Sequence, residues 1–199
     1  MVRKLQRFPH KKYNIIYADP PWEFDDKMRG HSFSLDHEYC VQSIGWIKRL
    51  PVIRIAEDDC ALFLWVVSPL LPEAMEVIDS WGFRYKTIAF CWSKMTKGGN
   101  RVSNLGRWTM GNIELCLLSI KGKPRRVRKD IKQFTSAVRT IHSKKPYAVR
   151  RKIVELIGDL PRIELFARER FEGWDSWGDQ LSDRIHREVF TFAGMGKNF

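Results

Sequence analysis

Cysteine is scarce in this chain, and the residues that occur form no metal-binding pattern. The four cysteines, Cys40, Cys60, Cys91 and Cys116, are irregularly spaced and include no Cys-x-x-Cys pair, which disfavours a structural zinc site. Long apolar runs are missing too, since none approaches the roughly 18 residues of a membrane-spanning helix. The basic first twelve residues lack the apolar stretch of a secretory signal. We therefore expect a soluble cytoplasmic protein without a metal site.

Acidic residues are almost absent between Lys121 and Lys152. That segment contains thirteen Lys and Arg residues and one acid, Asp130, so its charge of +12 equals the net charge of the whole chain. A charge run is often only a solvated face, but so concentrated an excess favours a polyanionic partner, most simply nucleic acid. The residues predicted to contact phosphates are Lys121, Lys123, Arg125, Arg126, Arg128 and Lys129.

The apolar residues occur in short continuous runs separated by polar segments. The runs 13–18, 60–67, 85–94, 113–121 and 161–168 predict buried strands, and the segments 41–50, 70–82 and 143–160 predict helices. Strands that are continuously apolar and alternate with helices predict an α/β fold, a mostly parallel sheet with helices on both faces. At 199 residues we expect one domain, with long loops at 24–40 and 95–112.

The first strand ends in Asp19, Pro20, Pro21 and Trp22. Ligands of parallel sheets bind at the carboxyl ends of the strands. Prolines donate no hydrogen bond and stiffen the turn, so we expect Asp19 and a free Pro20 carbonyl to act as paired acceptors. Trp22 offers a face on which a planar base could stack. Such a site suits an exocyclic amino group, although a proline turn that covers the core is an equally good interpretation.

The motif Ala-Asp-Pro-Pro-Trp resembles that of the adenine-N6 methyltransferases of the Asp-Pro-Pro-Trp type, the MT-A70 family, which includes phage and bacterial DNA adenine methyltransferases. The resemblance extends in order through "LFLWVVSPLLPEAMEVIDSWGFRYKTIAFCWSK", "GNIELCLLSIKGKP", "HSKKP", "RIELFAR" and "GWDSWGDQ". It covers about residues 13–181, which leaves 182–199 as a C-terminal extension of the single domain.

The resemblance implies a Rossmann-like fold with a permuted motif order that uses S-adenosyl-L-methionine (SAM), and catalysis by the tetrad Asp19–Trp22. The implied cofactor contacts are Asp19, Lys145, Glu164, Phe166, Arg168, Asp179 and Gln180. A strand-end acid such as Glu164 is suited to a ribose hydroxyl, and Lys145 to the cofactor carboxylate. Relatives usually have Asn at the position of Asp179. Glu114 matches a position near the substrate, and the other predicted substrate contacts in its vicinity are Asn112 and Trp108.

These features predict an adenine-N6 methyltransferase that acts on DNA. DNA is favoured because no added RNA-binding module is evident, and RNA is the alternative substrate. A catalytically silent nucleic-acid-binding subunit is the alternative of another class, although the intact tetrad argues against it. A homodimer is possible, and a phage-encoded enzyme would act in the host cytoplasm.

Overall fold

The structure, a computed structural model, describes residues 7–23, 42–103, 108–139 and 144–179, together with residue 181 and the backbone of 185–186. Its strands are β1 (Tyr13–Ala18), β2 (Ala56–Val66), β3 (Arg84–Met95), β4 (Ile113–Lys121), β5 (Phe134–Val138), β6 (Arg162–Leu165), β7 (Arg170–Phe171), β8 (Asp175–Trp177) and β9 (Ile185–His186). Its α-helices are α1 (Ile44–Lys48), α2 (Leu71–Ser80) and α3 (Tyr147–Ile157), and short 3₁₀ helices cover Val52–Ile55 and Ser68–Leu70.

Seven strands form one sheet in the order β5-β3-β4-β2-β1-β6-β8. All neighbouring pairs are parallel except those of β4, which runs antiparallel to both β2 and β3. The predicted mostly parallel sheet is therefore confirmed. Strands β7 and β9 pair separately.

Helices cover both faces of the sheet, as predicted. Helices α1 and α2 pack on the face that carries Ile16 and Leu64, and α3 packs on the face that carries Tyr17 and Phe63. Successive strand residues point to opposite faces, so a strand that is covered on both sides must be apolar throughout. This is the physical reason for the continuous apolar runs in the sequence.

Helix ends follow the predicted signals. Pro72 lies in the first turn of α2, and Gly82 and Gly158, which follow α2 and α3, have φ angles of 77° and 105°. These left-handed conformations favour glycine and stop a helix. Ser143, the first residue of the segment predicted to form this last helix, lies outside the described residues. Among the helices described here, none combines the length and apolar character that crossing a membrane requires.

Strand β5 was not predicted, because "FTSAV" lies within the basic segment and has no continuous apolar run. It lies at the edge of the sheet, and its residues Phe134, Ser136 and Val138 are exposed. An edge strand needs less apolar surface than a central one, so its sequence signal is weak.

Candidate active site

The tetrad lies where the parallel strands end. Strand β1 ends at Ala18, and Asp19 follows it directly with a side chain that is 19% exposed. Ala18 is paired with Leu64 of β2 and Leu165 of β6, so Asp19 lies between the ends of two neighbouring strands. This is the carboxyl edge of the sheet, as predicted.

The proline carbonyls are not left without donors, which corrects one expectation. The Trp22 backbone N–H donates to the Pro20 carbonyl at 2.9 Å, and the Gln42 N–H donates to the Pro21 carbonyl at 3.0 Å. A carbonyl oxygen has two lone pairs, so Pro20 retains one acceptor position. The two bonds hold the turn in one conformation and fix the direction in which Asp19 leaves the strand.

Lys145 links the tetrad to a second acid. Its ammonium Nζ lies 2.8 Å from Asp19 Oδ2 and 3.2 Å from Glu114 Oε2. Strand β4 runs against its neighbours, so Glu114, its second residue, lies at the edge where the other strands end. Lys94, at the end of β3, forms an ion pair with the other Glu114 oxygen. Cations and carboxylates therefore alternate along a row of four side chains.

Burial and ion pairing act in opposite directions on the pKa values of this row. Burial opposes the charged form of Lys145, but Asp19 and Glu114 outweigh it and raise the pKa of the ammonium. Burial likewise opposes ionisation of Glu114, but Lys145 and Lys94 outweigh it and lower the pKa of the carboxyl group. Both groups are thus charged at neutral pH. Among the described residues, Asp19 Oδ1 has no hydrogen-bond partner.

Trp65, near the end of β2, contacts both Lys145 and Trp22, a role that no sequence signal indicated. Its ring centroid lies 5.6 Å from Lys145 Nζ, and its carbonyl accepts the indole N–H of Trp22 at 2.9 Å. Its own indole N–H donates to the Tyr17 hydroxyl at 2.6 Å. Trp22 is therefore anchored through its side chain, which fixes the plane that it can present to a base.

Glu164, the predicted ribose acceptor, forms an ion pair with an arginine of α3. Its side chain is buried, and both carboxylate oxygens accept hydrogen bonds from Arg150, at 2.7 and 2.5 Å. The Arg150 guanidinium in turn lies 4.0 Å from the ring centroid of Phe171. Glu164 precedes the last residue of β6 and faces α3, and its expected contact with a cofactor hydroxyl stays a prediction. The ion pair joins α3 to the sheet.

The carboxyl ends of β6 and β8 lie side by side, because Leu165 pairs with Trp177. Phe166, directly after β6, has a left-handed φ of 62°, a conformation that costs a bulky residue about 1–3 kcal/mol and is often found at functional sites. A Cβ at Gly178 would lie 2.3 Å from the Ala167 carbonyl oxygen, so this close approach requires glycine. Arg168 is half-buried and Asp179 is exposed at the same edge. Gln180 lies outside the described residues.

The predicted nucleic-acid contacts divide into two groups. Trp108 is 98% exposed, and the Asn112 carbonyl accepts the Lys94 N–H at 3.3 Å, so both lie in the connection between β3 and β4 at the carboxyl edge. The segment 104–107 of that connection and the whole of the predicted loop 24–40 lie outside the described residues.

The basic run lies at the other end of the sheet. Lys121 ends β4, seven residues beyond Glu114, which at about 3.3 Å per residue is a separation of about 23 Å. Its ammonium donates to the Glu57 carbonyl at 3.0 Å and to Asp58 at 3.3 Å. Arg128 donates to Asp130 at 3.0 and 2.5 Å. These two cations are therefore engaged within the protein, and the run does not border the tetrad.

Comparison with known proteins adds a family and several relatives. A family model described as MT-A70 matches residues 13–180. The chain is 38% identical over 196 residues to the Type II methyltransferase M.MunI of a Mycoplasma species, covering 89% of this chain and 81% of that protein. It is 27% identical to mouse METTL4, an N(6)-adenine-specific methyltransferase, and 28% identical to human METTL3, an N(6)-adenosine-methyltransferase catalytic subunit. These matches cover 94% and 88% of this chain but only 41% and 29% of those longer relatives.

Proposed function

Because the chain belongs to the MT-A70 family of methyltransferases, we propose that it transfers a methyl group from SAM to the N6 amino group of adenine in DNA. The observation that carries this proposal is the position of Asp19, whose carboxylate is held at the carboxyl edge by Lys145 through Oδ2, while Oδ1 has no partner among the described residues. DNA is assigned rather than RNA because M.MunI matches along most of both chains, whereas the adenosine methyltransferase METTL3 matches at lower identity over 29% of its length.

The free oxygen of Asp19 is suited to orient an amine. An adenine amino group is a poor nucleophile because its lone pair is delocalised into the ring. Donation of one N–H to Asp19 Oδ1 and the other to the Pro20 carbonyl would turn that lone pair out of conjugation and toward an electrophile. The rate then comes from positioning and from fixed dipoles. Lys145 donates to Asp19 Oδ2 at 2.8 Å and so directs the carboxylate, whose other oxygen serves as an acceptor.

The surrounding residues fit SAM, which when bound supplies an electrophilic methyl group. Lys145 carries a buried positive charge next to Asp19, suited to the carboxylate of the amino-acid portion. The glycine-dependent approach of Gly178 to Ala167 and the left-handed Phe166 shape the neighbouring edge. We therefore assign Lys145, Phe166, Arg168 and Asp179, with Gln180 beyond them, as the residues that would hold the cofactor.

An adenine in a duplex must leave the base stack to reach Asp19. Trp22, anchored on Trp65, and the exposed Trp108 are the aromatic surfaces at this edge that could hold an extruded base or its neighbours. Aromatic stacking contributes about 1–3 kcal/mol per base.

The proposal is tested with the purified protein, tritiated SAM, and three matched substrates: duplex DNA, single-stranded DNA and RNA, each digested afterwards to nucleosides. Label in N6-methyldeoxyadenosine supports the proposal. Label in RNA alone would make RNA the substrate. Nucleic-acid binding without label in any substrate would identify a silent binding subunit.

A further inference from the structure

Five exposed cations lie together on one side of the molecule, away from the tetrad. They belong to the connection between β4 and β5 and are here called the basic flank: Lys123, Arg125, Arg126, Lys129 and Lys132. They account for most of the exposed charge in the segment that carries the whole net charge of the chain. The proposed active site uses none of them.

The backbone of the basic flank is fixed along α3. The Lys123 N–H donates to Asp59 at 2.7 Å, and the Val127 N–H donates to the Leu156 carbonyl near the end of α3 at 2.8 Å. One turn earlier in α3, Lys152 Nζ donates to the Lys132 carbonyl at 3.0 Å. These bonds hold the backbone of the flank in place, and its exposed cationic side chains extend from it.

The positive charge of the flank is not cancelled by its surroundings. Asp130 pairs with Arg128, and Glu155 with Arg128 and Arg151, whereas the Asp59 carboxylate accepts the Lys123 backbone N–H. At the start of the flank, Asp58 pairs with Lys121. Among the described residues, the five flank cations form no ion pair with an acid. A row of unneutralised cations is typical of a surface that binds phosphates.

The flank leads from the amino edge of the sheet toward the edge that carries Asp19. It begins after Lys121, and β5 continues it to Arg139, whose N–H bonds the Met95 carbonyl at the end of β3. The distance between the two edges, about 23 Å along β4, corresponds to about seven base pairs of duplex at 3.4 Å each. Asp19 follows β1, which is separated from β5 by the three strands β3, β4 and β2, so the flank is on one side of the tetrad only.

We propose that the basic flank binds the phosphate backbone of the nucleic acid on one side of the target adenine, about seven base pairs away from it. The inference rests on the proposed function for the position of the target base. The proposal predicts an asymmetric footprint. The duplex on one side of the target adenine would contact the protein along β5 and α3, and the duplex on the other side would not.

The test compares the triple variant R125A/R126A/K129A with a control that removes equal charge from the opposite face, K48A/R49A/R54A. Once the target site is mapped by sequencing of methylated DNA, two duplexes are used: one with a long arm only upstream of the target adenine, the other with a long arm only downstream. The parent and the control should bind one duplex at least about tenfold more tightly than the other. The triple variant should bind both alike.

A second measurement does not depend on methylation. On a 36-base-pair duplex of random sequence, the plot of log affinity against log salt should become shallower in the triple variant by about two to three units, at about 0.9 per phosphate contact. The control should keep the parent slope. An unchanged slope in the triple variant, or an equal affinity of the parent for the two asymmetric duplexes, would overturn the proposal. A third outcome would separate the two proposals. If the parent methylates no substrate but the triple variant still shows a shallower salt slope than the parent, the proposed function is refuted and phosphate binding by the flank is supported.

Discussion

Asp19 holds an ion pair through one oxygen and leaves the other to a ligand, and this arrangement can be probed by an isosteric change. We expect Asp19→Asn to lower the rate of methyl transfer by about 10²–10³-fold, because an amide presents its NH₂ group to Lys145 or to the amine and cannot accept from both. The measurement is the turnover number with saturating SAM and DNA.

The matched control for Asp19 is Asp79→Asn, since Asp79 is exposed on α2. It should retain the parent rate. Nucleic-acid affinity of Asp19→Asn should remain near the parent value, because the carboxylate is assigned to the amine and not to phosphates. Transfer by Asp19→Asn within twofold of the parent would contradict the assignment.

Glu114 gives a pH-dependent prediction for folding. Its pKa is lowered in the folded protein because Lys145 and Lys94 outweigh the effect of burial, so it stabilises the fold above the unfolded-state value of about 4.3 and loses that contribution as pH falls. We expect Glu114→Gln to cost about 3 kcal/mol at pH 7. The difference in free energy of unfolding between parent and variant should shrink between pH 5 and pH 3. Urea titrations across that range measure it, and a difference independent of pH would show that folding does not lower the pKa of Glu114.

At the scale of elements, the ion pair of Arg150 with Glu164 joins α3 to β6. Arg150→Met leaves a buried carboxylate without its partner, which should destabilise the protein by about 3–5 kcal/mol in urea. The neighbouring Arg151, 57% exposed and 3.6 Å from Glu155, offers a matched control. Arg151→Met should cost less than about 0.5 kcal/mol, as is usual for an exposed helix pair.

The double variant R150M/E164L separates the two roles considered for Glu164. It replaces a buried pair with apolar side chains and should recover most of the stability lost in Arg150→Met. If Glu164 serves only to join α3 to the sheet, the double variant binds SAM as tightly as the parent by calorimetry. A large loss of SAM affinity in a stably folded double variant would support the cofactor role that the sequence resemblance implied.

For the whole molecule, cofactor binding should appear as thermal stabilisation. A ligand that binds only the folded state stabilises it by about 2.7 kcal/mol at a hundred times its dissociation constant, which for a chain of this size is about 5–10 °C in Tm. Differential scanning calorimetry with and without SAM tests this. Lys145→Met should reduce the shift at the same SAM concentration, while Lys144→Met, one residue away and paired with Glu169, should retain it. Equal shifts in the two variants would contradict the assignment of Lys145.

The order and type of the central elements could be predicted from the sequence, because a strand that is buried on both faces must be a continuous apolar run. The runs 13–18 and 113–121 coincide with β1 and β4, and the glycines after α2 and α3 have the left-handed φ angles that helix ends favour. The placement of Asp19 at a strand end follows from the same local signal. By contrast β5, an exposed edge strand in a basic segment, has too little apolar surface to be recognised.

Tertiary structure decided which side chains meet. Lys94, Glu114 and Lys145 come from three distant segments, and they converge on Asp19 because β4 runs antiparallel and brings its first residues to the carboxyl edge. The same reversal carries the end of β4, and the basic residues that follow, to the opposite edge. The sequence places Glu164 near the end of a strand, but only the structure shows that its side chain faces α3 and accepts a hydrogen bond from Arg150. Local sequence determined the strands and the tetrad, whereas strand direction and register, which depend on long-range pairing, determined the partners of each charge.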